Sequence, residues 1–132
     1  MPLPIRLRTL LDTAYTTLGL ALLNAPAGPG RDYILNTASY GAQPWQHLDV
    51  YTPPGAAADN DVIVFLYGGR WSSGSRSMYR FVGHCLARHG YKVVIPDYSQ
   101  YPAVKFPLFV QDGALAVQYA VQQLKHKRLF VA

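Results

Sequence analysis

Three apolar runs, separated by two segments with helical periodicity, most constrain what this chain can fold into. The runs are residues 62–67 (VIVFLY), 91–98 (YKVVIPDY) and 128–132 (RLFVA), and the helical segments are residues 77–89 and 107–124. A short, continuous apolar run is typical of a strand that is buried on both faces. Because strands alternate with helices at this spacing, the sequence predicts an α/β fold, with right-handed crossovers that place helices on both faces of a parallel sheet.

Two segments before this pattern indicate a hairpin. Residues 32–40 are strand-like and end at a turn containing Gly41, and residues 47–51 (HLDVY) alternate apolar and polar side chains. Together they predict an antiparallel hairpin that leads into the parallel sheet. Residues 52–61 are rich in prolines and polar residues and are expected to form a loop.

Each helical segment has one apolar side. The first carries Tyr79, Val82 and Leu86 on one stripe and ends at Gly90, since glycine commonly terminates a helix. Cys85 lies in the same pattern, and we expect it to be a small buried residue rather than a nucleophile. The apolar side of the second helix is expected to consist of Phe109, Val110, Ala114, Val117, Val121 and Leu124.

Residues 1–25 form a separate helical segment that ends at a Pro/Gly-rich break (APAGPG). It can be an amphipathic helix that docks on the domain of residues 30–132. It can equally be an export signal or membrane anchor, because Arg6 and Arg8 precede an apolar stretch. These alternatives leave the cellular compartment undecided, with the cytoplasm slightly favoured. The apolar face is predicted to contain Leu7, Leu10, Leu11, Ala14, Leu18, Leu22 and Ala25.

The composition narrows the function classes. The chain has 132 residues, half of them apolar, which fits one globular domain with a core. The net charge is +5, but the basic residues are scattered apart from residues 125–128, which argues against a nucleic-acid partner. The four histidines and the single cysteine show no metal-ligand spacing, so neither a metal nor another cofactor is expected.

Three motifs together resemble the N-terminal part of a carboxylesterase-type α/β-hydrolase, of the bacterial esterase branch that is similar to hormone-sensitive lipase and kynurenine formamidase. The resemblance spans about residues 30–132, and residues 47–53 (HLDVYTP) match the family's early strand. The motifs are Tyr67-Gly68-Gly69-Arg70-Trp71 with Gly74, Pro96-Asp97-Tyr98 with Tyr101-Pro102, and Phe106-Pro107 with Asp112 and Ala114.

The resemblance implies roles for these motifs. The backbone N–H groups of Gly69 and Arg70 would form the oxyanion hole, which stabilises the negative oxygen of the tetrahedral intermediate in ester hydrolysis. The loop would be supported by Tyr67, Gly68, Trp71 and Gly74, and the structural motif nearby would be Pro96, Asp97 and Tyr98. The implied substrate is a small-molecule ester.

Two departures from the family pattern affect this region. Tyr67 stands where the family has His, and a phenol can still brace the loop by a hydrogen bond. Ser99-Gln100 stands where the family has Arg-Leu. The missing Arg predicts a looser corner, because charge-assisted hydrogen bonds would be lost.

The catalytic triad is not found in these residues. None of the serines has glycine at both flanking positions, as Gly-x-Ser-x-Gly requires. In the family a strand like RLFVA runs directly into that motif. We therefore expect a fragment that supplies the oxyanion loop, does not turn over substrate alone, and self-associates through a bare edge at residues 128–132. The alternatives are a half-domain that pairs with a complementary chain through this edge and membrane association through residues 1–25.

Overall fold

The computed structural model describes residues 5–25 and 33–132. Helix α1 (Ile5–Asn24) is followed by strands β1 (Ile34–Ser39), β2 (His47–Thr52) and β3 (Val62–Val64). A short 3-10 helix (Arg76–Tyr79) leads into α2 (Arg80–Arg88), β4 (Lys92–Pro96), α3 (Leu108–Gln123) and β5 (Leu129–Val131). The predicted order of strands and helices after residue 33 is therefore confirmed.

The five strands form one sheet in the order β1-β2-β4-β3-β5. The hairpin is antiparallel, with Ile34 opposite Thr52, and β2 also pairs antiparallel with β4. The other two pairings, β3 with β4 and β3 with β5, are parallel. An antiparallel hairpin thus leads into a parallel sheet, as the alternation of apolar runs predicts.

The helices cover opposite faces of the sheet and create two cores. On the α2 face, Val93 and Ile95 of β4 pack with Tyr51 and Ala87. On the α3 face, the core consists of Leu48, Val50, Val62, Val64, Val94 and Ala120. Burying each of the larger aliphatic side chains stabilises the fold by about 1.5–3 kcal/mol. The apolar runs show no alternation because helices cover both faces of these strands.

The α2 stripe of Tyr79, Val82 and Leu86 packs against the first core, as predicted. The helix ends before Gly90, whose φ is +90°. Two details differ from expectation. The first turn is a 3-10 helix rather than α-helix, and Cys85 is exposed rather than buried. Cys85 faces solvent because Gly83 and Ala87, the small residues on either side of it, occupy the close contact with the sheet.

The buried side of α3 was predicted incorrectly in part. Phe109, Val117 and Leu124 do pack on the cores, but Val110 and Val121 are 46% and 51% exposed. Ala114 is exposed too. The helix approaches the sheet closely through small side chains and one carboxylate, which an apolar pattern does not reveal. The residues buried there are Asp112, Gly113, Ala116 and Ala120.

Strand β5 lies at one edge of the sheet among the described residues. It was predicted as a third buried strand, yet Phe130 and Val131 are 44% and 54% exposed. Only β3 pairs with it, so one side of its backbone and much of its side-chain surface face solvent. The bare apolar edge expected at residues 128–132 is therefore present in the structure.

The C-terminal residue of α1 forms hydrogen bonds with the segment at the start of α2. The side chain of Asn24 donates a hydrogen bond to the Met78 carbonyl at 2.8 Å and accepts one from the Phe81 amide at 2.7 Å. The second bond satisfies an N–H in the first turn of α2, which has no partner within its own helix. Asn24 therefore ties α1 to the start of α2.

The prediction of which face of α1 docks on the domain is wrong for the side chains that the structure describes. Leu18 and Leu22 are 60% and 66% exposed, and Ala14 and Ala25 are exposed as well. The half-buried residues in the described part of α1 are instead Gly19, Leu20 and Asn24. The side chains of Leu7, Leu10 and Leu11 lie outside the described residues. Among the helices in residues 5–25 and 33–132, none has the length and hydropathy needed to cross a lipid bilayer.

Candidate active site

The segment that follows β3 turns sharply at the carboxyl end of the parallel strands, where open α/β sheets bind ligands. Gly69 has φ +150°, and Arg70 and Trp71 have φ of +55° and +58°. Non-glycine residues rarely adopt positive φ, and such backbone strain clusters at functional sites. We call residues 68–74 the glycine loop.

Two glycines in this loop are required by close packing. A Cβ on Gly69 would lie 2.1 Å from the carbonyl oxygen of Ser73. A Cβ on Gly74 would lie 2.8 Å from the ring of Tyr67. The sequence motif therefore reflects a loop that folds onto itself and onto the residue before it.

The hydrogen bonds within the glycine loop leave the amides of Gly69 and Arg70 without an acceptor. The carbonyl of Gly69 accepts bonds from the Ser72 amide at 3.0 Å and from the Ser73 hydroxyl at 3.1 Å. The amides of Gly69 and Arg70 donate to no partner within the described parts of the chain. Adjacent N–H groups that are held by a strained turn can bind an anionic oxygen.

Tyr67 braces the start of the loop. Its phenol donates to Oδ1 of Asp97 at 3.0 Å, and its carbonyl accepts a 2.6 Å bond from the Tyr98 phenol. Its ring stacks on those of Tyr98 and Tyr79, with centroids 4.7 and 5.2 Å away. Burial, together with the Asp97 charge, raises the pKa of Tyr67 above its ordinary value, so the phenol stays protonated as a donor.

Asp97 connects the ends of β3 and β4 to the segment that follows the glycine loop. Besides Tyr67, its carboxylate accepts the Arg76 amide at 2.6 Å and pairs with the Arg76 guanidinium. The same guanidinium pairs with Asp49 of β2 at 3.0 Å. The backbone of Asp97 also accepts a 2.5 Å bond from the Tyr40 phenol. Sequence reasoning missed Arg76 and the role of Asp49; the charged residue inside the apolar strand HLDVY was the available signal.

Trp71 connects the glycine loop to α3 and to Tyr98. Its indole stacks on Phe109 of α3 with centroids 4.7 Å apart and meets Tyr98 edge-on at 5.3 Å. Its carbonyl accepts a 2.7 Å bond from the Tyr101 amide. Trp71 remains 41% exposed, so it combines loop support with an apolar surface beside the glycine loop.

Hydrogen bonds connect the corner at Ser99-Gln100 to its surroundings, while the looser corner that the missing Arg predicts stays a prediction. The Gln100 side chain donates to the Gly74 carbonyl at 2.8 Å, and the Ser99 amide donates to Asp112 at 2.9 Å. Arg76 supplies a charge-assisted bond to Asp97 from a different position in the chain. This corner is therefore connected directly to the glycine loop.

Asp112 is a buried carboxylate that three elements share. Besides the bond from the backbone amide of Ser99, its carboxylate accepts hydrogen bonds from the Trp45 indole N–H at 2.9 Å and from the Gln46 side-chain amide at 2.8 Å. Burial alone would raise the pKa of Asp112, but the hydrogen bonds from Ser99, Gln46 and Trp45 outweigh it and hold the pKa below its ordinary value. Asp112 thus stays ionised and ties α3 to the segment before β2.

The predicted site residues lie close together at one end of the sheet. The motifs around Gly69, Asp97 and Phe109 meet at one end of the sheet through the contacts above. In the portions of the chain that the structure describes, no group of three His, Cys, Asp or Glu side chains is placed to hold a metal ion.

The comparisons with known proteins point to one family. A sequence model of the BD-FAE family matches residues 48–129, which include β2, the glycine loop and α3. A probable isoprenylcysteine alpha-carbonyl methylesterase of Oryza sativa subsp. japonica is 28% identical over 67% of this chain and 22% of its own length. The kynurenine formamidase of Danio rerio is 30% identical over 66% of this chain and 30% of its own length. The chain thus spans about a fifth to a third of these relatives.

Solved structures show the same fold. Esterase B from Lactobacillus rhamnosis, in a phosphonate-inhibited form, superimposes with a TM-score of 0.78 over 94% of this chain and 43% of that protein, at 22% identity. A hyperthermophilic esterase from Pyrobaculum calidifontis gives a TM-score of 0.74 over 99% of this chain and 48% of that protein, also at 22% identity. With the family match over most of the chain, these likenesses lead to one conclusion: the chain belongs to the BD-FAE family of carboxylesterase-type α/β-hydrolases.

Proposed function

We propose that this chain supplies the oxyanion-binding loop of a serine hydrolase that acts on small carboxylic esters, with the N–H groups of Gly69 and Arg70 as the donors. The observation that carries the proposal is the pair of adjacent amides without acceptors, held in a strained loop at the carboxyl end of β3. Such donors stabilise the charge that develops on the carbonyl oxygen, each by about 2.7–4 kcal/mol of the barrier.

The end of β5 pairs with the segment that leads into the glycine loop. The Leu66 amide donates to the Ala132 carbonyl at 2.8 Å, beside the start of the glycine loop. A nucleophile that works with this loop must lie near the end of β5, because one carbonyl group must reach both the nucleophile and the oxyanion donors.

The first test separates this chain from a complete enzyme. We expect residues 1–132 to release no stoichiometric burst of p-nitrophenolate from p-nitrophenyl acetate, since none of their serines lies in a Gly-x-Ser-x-Gly motif. On this proposal the Gly-x-Ser-x-Gly motif belongs to a further segment of the protein, since no serine of residues 1–132 has it. A burst from residues 1–132 that one serine substitution abolishes would place the nucleophile inside the chain and refute the proposal.

The second test addresses the loop in a protein that carries this motif. Gly69→Ala should lower kcat/KM for p-nitrophenyl acetate by about 10²–10³-fold, the effect of losing one oxyanion donor, because its Cβ collides with Ser73. The matched control is Gly90→Ala, which also places alanine at positive φ but meets nothing within 4 Å. Equal activity of the two variants would contradict the oxyanion role.

The exposed edge of β5 favours a second candidate function, a half-domain that pairs with another polypeptide. Phe130 and Val131 offer apolar side chains next to unpaired backbone groups, and such edges recruit strands from other chains. Light scattering should show association of the isolated chain that Phe130→Lys reduces. Val121→Lys on the outer face of α3 is the control, because Val121 is similarly exposed but belongs to no edge. A monodisperse monomer would exclude pairing between copies of the chain.

A further inference from the structure

A cleft of 520 Å³ separates α1 from the glycine loop. One wall consists of loop residues, including Gly69 and Arg70, whose amides are the proposed oxyanion donors. The opposite wall consists of residues of α1. A molecule whose carbonyl oxygen is bound by those amides therefore has this space beside it.

The α1 wall is polar over most of its length. Four of its five residues carry oxygen atoms in their side chains, and only Leu20 is apolar; the four are Asp12, Thr13, Thr16 and Thr17. Thr16 donates its hydroxyl proton to the Asp12 carbonyl at 2.8 Å, so its oxygen remains available as an acceptor. The Asp12 carboxylate is also an acceptor. Such a wall binds a hydrogen-bond donor rather than an aliphatic chain.

The charged side chains that line the cleft distinguish cationic from neutral hydrogen-bond donors as ligands. Arg70 lines the side opposite Asp12, so a cationic ligand gains attraction from one residue and repulsion from the other. A neutral hydroxyl group avoids this conflict, since it donates to Asp12 or Thr16 and accepts from the Arg70 guanidinium. The chemistry therefore favours an uncharged, hydroxyl-bearing group.

The wall is held in place independently of any ligand. Asn24 bonds to the carbonyl of Met78 and to the amide of Phe81. Met78 itself lines the cleft. A pre-organised wall loses less entropy on binding than one that must order around its ligand. Residues of α1 can therefore act as specificity determinants even though they lie far from the glycine loop in sequence.

We propose that the cleft between α1 and the glycine loop is a substrate subsite for a hydroxyl-bearing group next to the ester carbonyl, with Thr16 and Asp12 as its specificity determinants. This inference rests on the proposed function, because the loop amides place the ester. The hydroxyl group can belong to the alcohol part or to the acyl part of the ester. Both sources present the same chemistry to α1.

Ligand-observed saturation-transfer NMR on residues 1–132 tests the subsite without requiring turnover. Two isosteric ester pairs exchange a hydroxyl for a methyl group: ethylene glycol monoacetate against propyl acetate for the alcohol part, and methyl lactate against methyl isobutyrate for the acyl part. In at least one pair we expect the hydroxyl ester to bind about threefold to tenfold more tightly, the effect of one or two net hydrogen bonds. Which pair responds identifies the part of the ester that enters the cleft.

Variants locate the effect. Thr16→Val and Asp12→Asn should each remove most of the preference, whereas Tyr15→Phe should keep it. Tyr15 lies on the same helix but is 73% exposed and outside the cleft, so its variant also deletes one hydroxyl without touching the wall. Circular dichroism checks that the variants stay folded.

Each outcome decides a separate question. Equal affinity within both pairs, a preference that survives Thr16→Val, or no saturation transfer from any of the esters would overturn the subsite. Gly69→Ala should weaken all the bound esters, irrespective of the hydroxyl group. If Gly69→Ala has no effect while Thr16→Val abolishes the preference, the oxyanion role fails and the hydroxyl-binding cleft stands.

Discussion

The phenol of Tyr67 donates a 3.0 Å hydrogen bond to the carboxylate of Asp97, and this contact joins the first residue before the glycine loop to the end of β4. The carboxylate is charged and the donor is largely buried, so the bond belongs to the stronger class. Tyr67 thereby braces the start of the glycine loop.

The Tyr67–Asp97 bond can be weighed with Tyr67→Phe. The ring and its stacking on Tyr98 stay, and only the bond to Asp97 is lost. We expect the free energy of unfolding to fall by about 1.5–3 kcal/mol, the usual contribution of a hydrogen bond to a charged group. Urea unfolding measures it, with Tyr101→Phe as a control because Tyr101 is 56% exposed. Equal stability of the two variants would show that the bond contributes nothing.

Gly74→Ala tests how tightly the loop packs on Tyr67. Its Cβ would lie 2.8 Å from the Tyr67 ring, so Tyr67 must move or the loop must open. We expect a loss of about 1–3 kcal/mol beyond that of Gly90→Ala, by analogy with overpacking in cores. Gly90 has a similar φ, +90° against +102°, and open space at its Cβ, so the difference isolates the collision. Thermal unfolding followed by circular dichroism measures both, and identical shifts would contradict the packing argument.

Arg76→Met removes the cation between Asp49 and Asp97. The two carboxylates then lose their shared partner while both remain mostly buried, at 11% and 20% side-chain exposure. We expect the free energy of unfolding to fall by about 2–4 kcal/mol, somewhat less than for a fully buried pair. Adding Asp49→Asn to this variant should recover part of the loss.

The control for Arg76→Met is Arg128→Met. Arg128 also pairs with one carboxylate, Asp61, but its side chain is 67% exposed, and exposed ion pairs contribute little. Denaturant unfolding should therefore show a much smaller loss. A loss as large as that of Arg76→Met would mean that burial does not distinguish the two pairs.

Asp112 makes stability depend on pH at the acid end. Its pKa in the folded protein is below the ordinary value of 3.8, so its stabilising effect is complete above about pH 4 and is lost as the pH falls through the folded pKa. At neutral pH, Asp112→Asn should lower the free energy of unfolding by about 2–4 kcal/mol, because the new amide group turns a donor toward the donors of Trp45, Gln46 or Ser99.

The pH profile separates charge from shape at Asp112. The difference between wild type and Asp112→Asn should shrink as the pH is lowered below 3.8, since the wild-type carboxyl also becomes protonated. Asp59→Asn, at an exposed loop position, should leave the profile unchanged. A constant difference from neutral pH to the acid limit would show that ionisation of Asp112 does not contribute.

The order of strands and helices and the place of the glycine loop could be predicted from the sequence. Both depend on local patterns: continuous apolar runs, a glycine at the end of a helix, and paired glycines directly after a strand. The buried face of α3 could not be predicted from its apolar residues. Gly113 and Ala116 lie against the sheet because small residues permit close approach, while the larger Val121 points outward.

By itself, the sequence determined that an antiparallel hairpin precedes a parallel sheet, that a glycine-rich turn follows its first parallel strand, and that no Gly-x-Ser-x-Gly motif lies within these residues. Tertiary structure decided what supports the turn. Arg76 reaches Asp49 and Asp97, which are 27 and 21 residues away, and Asn24 reaches Phe81 across 57 residues. Polar partners at such separations leave no periodic trace, because hydrogen bonds and ion pairs depend on positions in space rather than on neighbours in the chain.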